Sequence, residues 1–143
     1  MSNTVIRNLL TGRLATWASG QIPKLQIGLQ NVSFTPPRDT QGRIATHLMA
    51  FVLPADTESE DYAGDHRRYH GIWQINIVTR AGIGPKAAED LAAAMGALYP
   101  VNLRLTNSGR VLLIRTPVTQ HQPIVDEDRY TLPVDCRYEM HTI

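Results

Sequence analysis

The sequence predicts an α+β domain, with a largely antiparallel mixed β-sheet and two helices packed on one of its faces. Three observations predict it. Two long apolar-rich runs, Ile44 to Leu53 and Tyr69 to Thr79, have strand character and flank a polar connection. A third run, Tyr130 to Met140, alternates apolar and polar residues along its length. Two other segments, one before the strands and one among them, carry apolar residues at helical spacing. The chain has 143 residues, which fits one domain spanning 1–143 and a core that needs no covalent staples.

The first helix is expected from Asn3 to Ala18. Val5, Ile6, Leu9, Leu10, Leu14 and Trp17 form one broad apolar face, and Gly20 stands where a helix ends. Leu25, Ile27 and Leu29 alternate with polar residues and glycine, which predicts a short strand. Asn31 to Gly42 holds Pro36, Pro37, Asp39 and Gly42 and reads as a loop, with Phe34 tucked beneath it. In the strand Ile44 to Leu53 both alternating sets are largely apolar, so cover is expected on both sides, by a helix layer on one and by a neighbouring subunit on the other.

The strand from Tyr69 places Tyr69, Gly71, Trp73, Ile75 and Ile77 on one side, with a gap at Gly71. The more polar side carries His70, Ile72, Gln74, Asn76 and Val78. After the Gly82-Ile83-Gly84 turn, Pro85 suits the first position of a second helix, whose inner face is Ala88, Leu91, Ala92, Met95 and Leu98. Leu103–Leu105 and Val111–Arg115 flank Thr106 to Gly109 as a hairpin. A loop holding Pro117 and Pro123 leads to the last strand, in which Pro133 predicts an edge position or a bulge.

Composition narrows the function. Fourteen basic residues stand against thirteen acidic ones, so the chain exerts no global attraction on nucleic acid or an anionic membrane. No apolar run is long enough to span a bilayer, and no leader pattern is seen at the N-terminus. The single cysteine, Cys136, cannot form an intrachain disulfide, fits a reducing compartment, and is expected to be buried.

Catalytic patterns are not found. His66 and His70 lie four apart at the entry to a strand, where that spacing separates them by roughly 13 Å, too far to share an ion. Gly82 and Gly84 lack the third glycine of a dinucleotide loop and the lysine and hydroxyl of a P-loop. The serines carry no nucleophile motif, and Asp126-Glu127-Asp128 reads as a solvated acidic run. Neither a catalytic residue, a metal ligand nor a cofactor is assigned.

The connection from Pro54 to Arg68 is the unusual feature. Asp56, Glu58, Glu60, Asp61 and Asp65 precede Arg67 and Arg68, an arrangement suited to pairing with another copy of the chain. Asp65, Arg67 and Arg68 are therefore the expected interface residues, together with the open side of the strand from Tyr69 to Thr79.

Three stretches also carry a family resemblance. They are Asn31-Val32-Ser33-Phe34-Thr35-Pro36-Pro37 with the strand ending at Leu53-Pro54-Ala55; Tyr69 to Val78 followed by Ala81-Gly82-Ile83-Gly84 and an alanine-rich helix; and Val134-Asp135-Cys136-Arg137-Tyr138. Together they resemble the tail terminators of long-tailed phages, of which the lambda minor tail protein U is the type example. The resemblance implies a homo-oligomeric ring, with six subunits expected, in the virion tail and assembled in the host cytoplasm. Such a ring stops the tail tube protein from polymerising and presents a surface to the head–tail connector protein. It brings no catalytic residues. Another head–tail joining or tail completion protein is the alternative, and a small ligand-binding domain or enzyme using His66 and His70 is a more distant one.

Overall fold

A computed structural model describes residues 2–59 and 62–142. The order is α1 (Ser2–Ser19), β1 (Ile27–Leu29), β2 (His47–Pro54), β3 (Arg67–Arg80), α2 (Lys86–Leu98), β4 (Arg104–Asn107), β5 (Arg110–Ile114), β6 (Thr119–Gln120), β7 (Ile124–Val125) and β8 (Arg129–Thr142). The strands form one mixed sheet in the order β1-β2-β3-β8-β5-β4, with β6 and β7 also paired to β8. The predicted α+β architecture is what forms. Among the described residues, only the β1–β2 pairing is parallel.

Strand alternation sorts the residues between two faces. Leu48, Ala50 and Val52 of β2, Trp73, Ile75 and Ile77 of β3, and Val134, Cys136, Tyr138 and Met140 of β8 are buried. They pack in one cluster with Ile6, Leu10, Leu14 and Ala18 of α1 and Ala88, Ala92 and Met95 of α2. The α1 stripe is spaced every fourth residue, so it runs as a narrow seam, with Val5, Leu9 and Trp17 on its flanks. Cys136 is buried here, as expected.

At Gly71 the inner face has no side chain, and Tyr138, its register partner on β8, supplies the bulk instead. Tyr99, just past α2, donates its hydroxyl to the Leu10 carbonyl at 2.7 Å and meets the edge of the Trp73 ring. That contact ties the end of α2 to the middle of α1.

On the opposite face, Phe34 lies against Gly28 and faces the His47 ring, with centroids 5.5 Å apart. The loop before β2 thus covers the sheet where His47 is buried, and burial holds the His47 pKa below its ordinary value.

Several boundaries differ from expectation. β2 starts at His47 because Ile44 pairs in an isolated bridge with Arg38. Pro85 stands at the N-cap of α2, one residue before the helix. The hairpin turn is two residues: Asn107 pairs with Arg110, and Ser108 and Gly109 both take positive φ (52° and 81°). That is the primed turn geometry that matches strand twist.

β8 is an interior strand, so Pro133 is not at an edge. Its carbonyl accepts from His121 N at 2.9 Å, which points its missing N–H the same way, between the stubs β6 and β7 and away from β3.

Candidate interaction surface

The face away from the helices is the open one. Its rows cross the sheet as His47–Val78–Thr131, Met49–Asn76–Pro133, Phe51–Gln74–Asp135 and Leu53–Ile72–Arg137. Beyond these lie His70 opposite Glu139 and Arg68 opposite His141. Apolar and polar residues mix along it, and most are half-buried. It is covered by the Phe34 loop at one end and carries charge at the other.

The charged end is organised around Glu139. Its Oε1 accepts from Arg68 Nε and from His141 Nε2, both at 2.7 Å, and its Oε2 lies 3.2 Å from Arg115 Nε. The Arg68 hydrogen bond is the main force holding the Glu139 carboxyl below its usual pKa range, against partial burial. The same bond raises Arg68 above its usual value. Arg68 reaches onward to Glu58 Oε2 at 2.9 Å, and the two backbones exchange hydrogen bonds of 3.1 and 2.7 Å. His70 Nε2 stands 3.7 Å from the other Glu58 oxygen.

His66 Nε2 meets His141 Nδ1 at 2.7 Å. An ionised Glu139 only accepts, so His141 carries its proton on Nε2 and, when neutral, accepts at Nδ1 from His66. His66 is thus joined to β8 rather than to His70.

The three expected interface residues therefore have different situations. Arg68 is half-buried and committed to Glu139 and Glu58. Arg67 is exposed and bends back to the Gly64 and His66 carbonyls, within 3.4 Å of Ser59 Oγ. Asp65 is exposed. Glu60 and Asp61 lie outside the described residues.

Sequence reasoning missed Glu139, Arg115 and His141. Glu139 and His141 sit in a strand with ordinary alternation and come to the loop only through the register of β8 against β3, and Arg115, just past β5, is brought there by the pairing of β5 with β8. No local pattern signals that pairing.

Near this cluster is a cavity of about 580 Å³ lined by Leu53, Ile72, Arg68, His70, Arg115 and Arg137 among others. Among the described residues, no three His, Cys, Asp or Glu side chains converge as a metal site. The arrangement holds charges in fixed positions for contact; it contains no nucleophile with a base beside it.

A family model described as phage tail terminator protein matches residues 5–138. The chain belongs to the phage tail terminator family. A solved structure 38% identical in sequence superposes with a TM-score of 0.82, covering 100% of this chain and 98% of that one. No curated protein matches the chain. The terminator family is a structural one of the phage tail, so the terminator's open sheet face and clamped connection are to be read as surfaces of a virion tail component.

Proposed function

We propose that the chain closes into a ring, expected to be of six copies, on the head-proximal end of the tail tube. There it stops addition of further tube protein and offers its outer surface to the head–tail connector. The membership of nearly the whole chain in the terminator family carries this reading. The two outermost strands support it, because β1 and β4 each have one edge without a strand neighbour among the described residues. Subunits are assembled in the host cytoplasm as single domains, and the work of the protein lies in its interfaces. Asp65 and Arg67 are proposed to touch a neighbour or the tube. Arg68 contributes by bracing the connection that carries them, through Glu58 and Glu139.

Deleting the gene and measuring tails by electron microscopy tests the reading. Tails of uncontrolled, excessive length are expected, and restoration of the gene in trans should return them to normal. Headless tails of normal length in the deletion would overturn termination and leave a joining role.

A further inference from the structure

Two exposed features, one at the charged end of the open face and one on the stub paired beside β8, complement one another and lie too far apart to meet within one molecule. The first is the cavity at the charged end. Arg137 is exposed and makes no ion pair among the described residues. Arg115 is half exposed and reaches Glu139 through its Nε at 3.2 Å, with no other ion pair among the described residues. Beside these two cations Leu53 is 43% exposed and Ile72 is half-buried. The cavity therefore offers two cationic heads next to an apolar floor.

The second feature is the segment Ile124 to Glu127. Ile124 and Val125 are 60% and 69% exposed, unusually high for paired β-branched residues. Asp126 and Glu127 follow directly, are exposed, and make no ion pair among the described residues, whereas Asp128 is taken by Arg38 and Arg129. The segment is already shaped: β7 pairs with Thr131 and Tyr130, Asp126 N donates to the Arg129 carbonyl at 2.9 Å, and the Asp126 carboxylate accepts from Glu127 N. A preformed segment loses little freedom on docking.

We propose that the Ile124–Glu127 segment of one copy docks in the Leu53–Ile72–Arg115–Arg137 cavity of the next. Ile124, which shares the open face with its partner Thr131, covers Leu53 and Ile72, while Asp126 and Glu127 meet Arg137 and Arg115. The two features are six residues apart along β8, from Thr131 to Arg137, or roughly 20 Å. One molecule therefore cannot satisfy both, and the contact is made with a second copy, which we take as heterologous because it rests on the ring reading. Repeated around an axis it closes a ring, as such head-to-tail contacts do. Paired charges at its centre also set register and reject wrong docking. This inference rests on the ring reading and names the contact that builds it.

A charge exchange tests it. Arg137→Glu and Glu127→Arg are made separately in the full chain, with circular dichroism and thermal melts to verify folding. Association is followed by light scattering and analytical ultracentrifugation up to several hundred micromolar. Each variant alone is expected to associate at least about tenfold more weakly than wild type, since like charges then face one another. Mixing the two should restore association, because alternating copies oppose unlike charges at every contact. Ile124→Asp should weaken association without rescue by either partner. Wild-type protein that stays monomeric, variants that associate normally, or a mixture that fails to recover would each overturn the contact. Rings that form despite both reversals would sink this contact and leave the ring reading intact. Normal tail length after gene deletion would instead sink the ring reading.

Discussion

Gly71 and Tyr138 face each other across the β3–β8 ladder, and the space that a Cβ at residue 71 would need is taken. Such an atom would run into the Leu53 carbonyl and lie 2.8 Å from the Tyr138 hydroxyl. A Gly71→Ala chain should lose roughly 1–3 kcal/mol, the usual cost of overpacking a close-packed core. Combining it with Tyr138→Phe should recover little, because the backbone clash with Leu53 remains. Urea denaturation of the single and double variants measures both.

Arg67 and Arg68 are adjacent in sequence but predict opposite phenotypes. Arg67→Glu changes an exposed side chain held, among the described residues, by nearby carbonyls and Ser59, so its melting temperature should stay close to wild type while ring or tube contact is lost. Arg68→Glu places an acid against Glu139 and Glu58, and should lower the melting temperature before any assembly defect is read. Normal tail length and assembly in the Arg67→Glu variant would remove that residue from the interface.

Acid should weaken the connection through Glu139. Its folded-state pKa is held down, chiefly by Arg68, so the stability it contributes is present above the ordinary carboxylate value and is lost as pH falls through the depressed one. The urea midpoint of wild type should therefore drop on descending below about pH 4.3, the ordinary Glu value. Glu139→Gln should be less stable at neutral pH and flatter across that acid window.

Cys136 should be chemically silent in the native protein. It is 1% exposed, and burial raises its thiol pKa to about 12. Little thiolate is therefore present at pH 8, and reagent cannot reach the sulfur. Disulfide-exchange reagents should label it only at the rate of opening, with immediate labelling in denaturant. Fast labelling of folded protein would contradict the packing.

The elements most legible in the sequence are those whose alternation is long. β3 and β8 needed only their own periodicity to be found, and the α1 seam needed only fourth-residue spacing. Thr119-Gln120 and Ile124-Val125 read as loop because two residues carry no period; they become strands only through hydrogen bonds to β8. The parallel direction of β1 was likewise invisible, since direction depends on the path from Leu29 to His47. The prolonged polar connection marked the right end of the sheet, and its charges were legible as a group. Which charges stay free was not, because Arg68 is spent on Glu139, a residue far along the chain.

The register that places Glu139 beside Arg68 also constrains how the chain is made. β3 has β2 on one edge soon after synthesis, but its other edge waits for β8, the last of the ten elements. Until β8 emerges from the ribosome, a fourteen-residue strand stands with an open row of backbone donors and acceptors. During that interval this edge of β3 can pair with a neighbouring polypeptide. The unpaired edge of β3 is thus a hazard of synthesis, separate from the stability of the finished molecule.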